Sequence, residues 1–377
     1  MNDLGSSSPH SAPSPPADPF PDSDPVRSLP AGSLVEIRTR KPQFPVGDEL
    51  QSYLRRYQRS EAFDVVYDDL LRFTESIPRK TPDGEDSYWE VVLYSPADTD
   101  ELHRELTRIY AYMKTPEDPS FTNHLFIERV EFCRFGNSKP FRIKVVNRYN
   151  DNHDYYYVKN TDASRAYGLE LEHILAPNRI NFLVHGSTLI EEHITGIPGD
   201  TFLAGGVPTD ARSLTRVAKE FVKFSERSFA KLLGDMRAYN YVIVLTQDFD
   251  MAQYRVRAID FDQQSYEGDI RIYLPQFYKE NRAAVDIVWR NLSPETIRQY
   301  QKEERSLMAR RLDASRERVD ALLTCMSNDA ISTPDRVQQL AADLARYHRD
   351  PGFETLRDMG RLTRRHLLTM LRRLEAN

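Results

Sequence analysis

The chain has 377 residues, with 51 Lys and Arg against 57 Asp and Glu and a net charge of -6. That balance argues against a protein whose main task is to grip nucleic acid by its phosphates. No stretch approaches the roughly 20 apolar residues of a transmembrane helix. The opening "MNDLGSSSPHSAPSPPADPF" has neither the basic end nor the apolar run of a secretory signal. Two cysteines, Cys133 and Cys325, form no ligand cluster and no disulfide framework. A cytoplasmic protein without nucleic-acid or membrane partners is expected.

Residues 1–32 are Ser, Pro and Asp with little to bury, and read as a disordered leader. An N-terminal α/β extension follows over 33–123. Within it "DELQSYLRRYQ" and "EAFDVVYDDLLRFTESI" carry helical periodicity, "YWEVVLY" reads as a strand, and "TDELHRELTRIYAYMK" is a helix capped by Asp98 or Thr99. From His124 the pattern turns to strands. "FIERVEFCRF", "FRIKVV" and "YYYVKN" are separated by the turn compositions "GNSKP" and "NRYNDNHD", which predicts a three-stranded antiparallel meander. A helix, "SRAYGLELEHILA", and two more strands, "INFLV" and "TLIEEHI", complete a unit over 124–196. Residues 197–377 are mostly helical, beginning with "SLTRVAKEFVKFSERSFAKLL" and ending in "RRHLLTMLRRLEAN".

One segment of the helical part interrupts it: "GDMRAYNYVIVLTQDFDMAQYRVRAIDFD", from Gly234 to Asp262. Residues 241–245 and 254–259 read as the arms of a hairpin around "TQDFDMAQ". Antiparallel partners lie about 4.8 Å apart, so the fold-back sets Asn240, just before the first arm, beside Asp260, just after the second. Two oxygen-bearing side chains at such a point suit Mg²⁺, which shares its oxygen ligands with substrate phosphates. Asp235, on the loop leading in, could orient an incoming hydroxyl.

Asp235, Asn240, a strand, then "IDFD" resembles the catalytic and metal-binding loops of the protein-kinase-like superfamily, in its aminoglycoside-phosphotransferase and choline-kinase branch. The resemblance covers roughly residues 124–290. It implies a bilobal α+β fold: a five-stranded antiparallel N-lobe with one helix and a helical C-lobe, here with the N-terminal α/β extension added. It further implies transfer of the ATP γ-phosphoryl group to a hydroxyl, with ATP and Mg²⁺ as cofactors and a small molecule as acceptor. Asp235 carries over as catalytic base, Asn240 and Asp260 as metal ligands, and Asp262 as their assistant. Lys159, ending the third strand, would hold the phosphates. Its expected partner is Glu170, because a carboxylate on the buried face of a helix needs one. The phosphate loop "RFGNSKP" has one glycine, Gly136, with Ser138 or Lys139 to compensate.

The alternatives are a pseudokinase that binds nucleotide as a scaffold, which the glycine-poor loop favours, and a protein Ser/Thr kinase. "EEH" at Glu191–His193 reads as ordinary strand residues, since alternation splits the three between faces. The basic positions Arg361, Arg364, Arg365, Arg372 and Arg373 read first as the solvated side of an amphipathic helix. A protein partner is conceivable there or on the N-terminal extension.

Overall fold

A computed structural model describes residues 41–81, 84–115, 122–134, 138–248 and 251–372. The Ser/Pro-rich leader, Gly136 and Arg373 lie outside them. The chain is a mixed α+β protein with an antiparallel sheet and many helices.

The first half comprises α1 (Asp48–Arg56), the single turn α2 (Tyr67–Leu70), β1 (Glu75–Lys80), β2 (Asp86–Leu93), α3 (Pro96–Lys114), β3 (Leu125–Cys133), β4 (Phe141–Asn147), β5 (His153–Asn160), α4 (Ala163–Leu175), β6 (Phe182–His185) and β7 (Thr188–Glu192). Its strands form one seven-stranded sheet in the order β1-β2-β3-β4-β5-β7-β6. The five strands expected from His124 onward therefore exist, but the sheet does not stop at five. The hairpin β1–β2 adds to its edge through pairs such as Val91 with Glu131, so the extension shares the sheet.

Successive strand residues face opposite ways, and the two faces differ. Val130, Ile143, Tyr156 and Ile190 pack with Leu102, Leu106 and Ile109 of α3 in one apolar cluster. There the Tyr156 hydroxyl donates to the Leu106 carbonyl (2.9 Å). Each such buried Leu or Ile contributes about 1.5–3 kcal/mol. The opposite face carries Glu131, Arg142, Tyr157 and Glu191 in register. α3 starts earlier than expected, because Ser95, not Asp98 or Thr99, accepts the capping bond from the Asp98 amide (3.3 Å). The helix expected over "EAFDVVYDDLLRFTESI" shrinks to α2. Burial alternates at Phe63, Val65 and Tyr67, so a period of two was hidden within the apparent helical pattern.

The second half is built on α6 (Ala211–Lys231), against which α7 (Arg282–Asn291), α8 (Pro294–Ala314) and α11 (Met359–Arg372) pack, while α9 (Arg316–Asn328) and α10 (Pro334–His348) join the same larger core against α11. A second sheet, in the order β10-β9-β8, joins β8 (Ile197–Pro198) to the hairpin β9 (Tyr241–Asp248) and β10 (Met251–Ala258). The arms run longer than expected, since Thr246, Gln247 and Asp248 pair with Gln253, Ala252 and Met251. A short turn, α5 (Gly199–Thr201), follows β8. A Cβ on Gly199 would come to 2.2 Å from the Tyr241 ring and 2.4 Å from the Ala238 carbonyl, so only glycine fits that crossing. Among the described residues no helix is long and apolar enough to cross a membrane.

Candidate functional site

The charged face of the large sheet and the open end of the hairpin meet across a cleft of about 370 Å³. Lys159, Glu191, Arg165, Asn240 and Asp260 all line it. The fold-back acts as its geometry requires. Tyr241 pairs with Ala258, and the ladder continues one step further, with the Ile259 amide donating to the Asn240 carbonyl (3.0 Å). Asn240 and Asp260 thereby open onto the same space. The Asn240 amide group donates through Nδ2 to the Asp235 carbonyl (2.7 Å), which ties the loop to the start of the hairpin. The bonds of Asp260 from Arg165 and from the Asp262 amide both fall on Oδ1.

Asp235 sits at φ +58°, in the left-handed region that Asp enters more readily than most side chains. Its amide donates to the Ile272 carbonyl (3.2 Å) and the Tyr278 hydroxyl (3.1 Å). Its carboxylate accepts from Arg237 Nε (2.6 Å). Burial dominates and pushes its pKa up to about 7; the Arg237 guanidinium pulls the other way and Asp260 adds to the rise. A carboxyl poised there changes protonation near neutral pH, as a general base needs. Asn281, fully buried, holds the loop from below: its Nδ2 donates to the carbonyls of Met236 (2.8 Å) and Pro275 (2.7 Å), and its Oδ1 accepts from the Tyr241 hydroxyl (3.0 Å).

The expected Lys159–Glu170 pair does not form. Lys159 Nζ binds Glu191 Oε2 (2.5 Å), on the neighbouring strand β7. Glu170 is buried, as the helical wheel required, but faces away from the cleft. Its carboxylate accepts from the Tyr53 hydroxyl (2.6 Å) and Arg318 Nε (2.6 Å), with Arg59 at 3.5 Å. The wheel located a side chain that needs a partner; only tertiary packing decides which. Glu191, read as an ordinary strand residue, belongs to the site.

Arg165 was not singled out. It reaches from the first turn of α4 to both acids after β10: Nη2 lies 2.9 Å from Asp260 Oδ1 and 2.7 Å from Asp262 Oδ1, Nε donates to Asp262 Oδ1 (2.8 Å), and Nη1 donates to Glu191 Oε1 (3.2 Å). Burial opposes its charge, but Asp262, Asp260 and Glu191 together hold the guanidinium well above its ordinary pKa. Burial pushes the Lys159 ammonium below its ordinary value, with Arg165 adding to the effect and Glu191 opposing it. For Asp260, burial and then Asp262 raise the pKa against Arg165 and Lys159. For Asp262, burial is outweighed by Arg165 and Lys41, and the pKa falls. One sequence signal pointed to Arg165. A cation at the third position of a helix opposes the macrodipole, so it needs another reason to be there.

Ser138 lines the cleft and also an adjoining pocket of about 300 Å³, bounded by Lys41, Asn160, Asp162 and Asp262. Among the described residues no group of three or more His, Cys, Asp and Glu stands ready to hold a metal. Asn240 and Asp260 nonetheless supply the hard oxygen donors that suit Mg²⁺, provided substrate phosphates and water complete the shell.

No family model and no curated protein sequence matches the chain. Among solved structures it is similar to the Neurospora crassa PAN3 pseudokinase, at 13% identity over 74% of this chain and 71% of that one, with a TM-score of 0.19. At that score the two chains share too little arrangement for one to inform the other.

Proposed function

We propose that the protein is a protein-kinase-like phosphotransferase that moves the ATP γ-phosphoryl group to a hydroxyl. The observation that carries this reading is the convergence of Lys159, Asn240 and Asp260 on one cleft, with Asp235 bonded to Asn240 through its carbonyl. Lys159 neutralises phosphate charge, and Glu191 orients it. Asp235 accepts the proton of the attacking hydroxyl, which its pKa near 7 permits. Arg237 holds that carboxylate in place (2.6 Å). A Mg²⁺ ion would be held by Asn240 and Asp260 and would offset charge on the transferring group. Positioned charge of this kind supplies most of the acceleration in phosphoryl transfer.

A small acceptor is favoured over a peptide. Tyr266, Tyr273 and Tyr278, which follow Asp262, are among the most fully buried large side chains, so that segment offers no loose strand for a peptide. The second reading, a nucleotide-binding scaffold without turnover, is favoured by Arg165, whose guanidinium already engages both Asp260 and Asp262.

Titrating Mg·ADP into wild type, K159M and D260A tests the binding step. Loss of at least tenfold in affinity in both variants is the expected outcome, and unchanged affinity in D260A overturns the proposal. Labelled ATP with a cell lysate, separated into protein and metabolite fractions, then tests turnover. Label in the metabolite fraction supports the small acceptor. No transfer, with nucleotide binding intact, selects the scaffold.

A further inference from the structure

Three carboxylates from two segments meet a single guanidinium. Glu191 arrives on β7, and Asp260 and Asp262 arrive just after β10. Two of their oxygens, the Oδ1 atoms of Asp260 and Asp262, converge on one atom, Arg165 Nη2, at 2.9 and 2.7 Å. A cation at that point would meet both acids once they closed by roughly 0.6–0.9 Å, to the 2.0–2.1 Å that Mg²⁺ requires.

Arg165 could be a movable latch or a fixed part of the site, and α4 decides between them. The helix is tied to its surroundings along its length. Its cap residue Asp162 accepts from Lys41 (2.6 Å) and from the Phe44 amide (2.9 Å). The Tyr167 hydroxyl donates to Asp329 (2.5 Å). Glu170 holds Arg318 and Tyr53, each at 2.6 Å, and Glu172 pairs with Lys231 of α6. Gly168 lies so close to Phe261 and Gln264 that a Cβ there would come to 3.1 Å from both side chains. A helix anchored to α1, α6, α9 and the segment after β10 does not swing, so the guanidinium it carries stays. Its side chain is only 3% exposed.

We infer that Arg165 is a built-in cation, standing where a divalent ion would otherwise bridge Asp260 and Asp262, so that the cleft takes one divalent ion and not two. The remaining ion would be held by Asn240 and Asp260, and for that ion the inference rests on the phosphotransfer reading. Charge supports the substitution. Glu191, Asp260 and Asp262 against Lys159 and Arg165 leave one excess negative charge. Without Arg165 the excess doubles, and a polyphosphate is repelled until a second metal ion binds. Arg165 acts through these acids and is a positioning residue.

Mn²⁺ alone provides the first test, by titration calorimetry and thermal unfolding of wild type, R165A and R165K. R165A is expected to gain one Mn²⁺ per chain, bound at least tenfold more tightly than any ion on wild type, with a matching metal-dependent rise in Tm. R165K, which keeps the charge, should bind no more Mn²⁺ than wild type although it loses the guanidinium's fork of hydrogen bonds, and R165A/D262A should lose the gained ion. An R165A protein with no more Mn²⁺ than wild type overturns the inference. If R165A folds only in Mn²⁺ and not in EDTA, the same substitution is demonstrated; if it folds in neither, the ion cannot replace the guanidinium and the inference falls. Counting Mn²⁺ on wild type at saturating ADP separates this from the function itself. One ion per nucleotide is expected, and two overturn the built-in cation. Failure of wild type to bind ADP removes the phosphotransfer reading, while the metal-alone comparison still decides on Arg165.

Discussion

Asp235→Asn separates stability from chemistry at one atom. Burial pushes Asp235 up to about 7, against roughly 4 in an unfolded chain. The folded state therefore binds this proton more tightly than the unfolded state. Stability from this group is present at low pH and is lost as pH rises through the folded value. The full displacement corresponds to roughly 4 kcal/mol. Between pH 5.5 and pH 8 the portion lost is about 2 kcal/mol. Asparagine does not titrate, so D235N should gain about that much relative to wild type over the same interval. The side chain is 22% exposed and Arg237 loses an ionic partner, so about 1 kcal/mol is the least gain expected. Urea unfolding of both proteins at the two pH values measures it, because groups not coupled to Asp235 cancel in the comparison. In parallel, phosphotransfer by wild type should rise with pH around an apparent pKa near 7, and D235N should lose at least 10²-fold. A stability difference that does not change between pH 5.5 and 8 would refute the displaced pKa, and an active D235N would refute the role.

Three further outcomes follow from named contacts. Glu170→Ala leaves Arg318 and Arg59 without their buried carboxylate and should cost about 3–5 kcal/mol in urea unfolding. Its ADP affinity at low temperature should stay within twofold of wild type, whereas a tenfold loss would mean that Glu170 serves the cleft after all. Gly199→Ala drives a methyl group into the Tyr241 ring and the Ala238 carbonyl; a loss of about 1–3 kcal/mol should accompany weaker nucleotide binding, and an unchanged Tm would show that the crossing relaxes freely. Burial lowers His366 to about 3, below the unfolded value near 6.5, so the unfolded state binds its proton first as pH falls. Stability from this group is present above 6.5 and declines toward pH 3. From pH 7 to 5 it costs about 1.9 kcal/mol, and H366N should show that much less acid sensitivity.

Much of this molecule was legible in one dimension because its signals are local. The helices at α3, α4 and α6 to α11 follow from apolar spacing, and the meander from alternating runs and turn residues. The hairpin's two arms place Asn240 beside Asp260 because pairing is a property of consecutive backbone groups, whatever side chains they bear. The ends were less legible: Ser95 took the cap from two nearby candidates, and α2 kept only four residues. What tertiary structure alone decided was partnership. A buried charge announces that it needs a counter-charge, but its identity depends on which surfaces are pressed together. Glu170 thus met Arg318 across the helix packing, Lys159 met Glu191 across a strand pair, and Arg165 met three acids from segments far along the chain. Electrostatic attraction falls slowly with distance in space and is indifferent to separation in sequence, so these choices are made only when the chain has closed on itself.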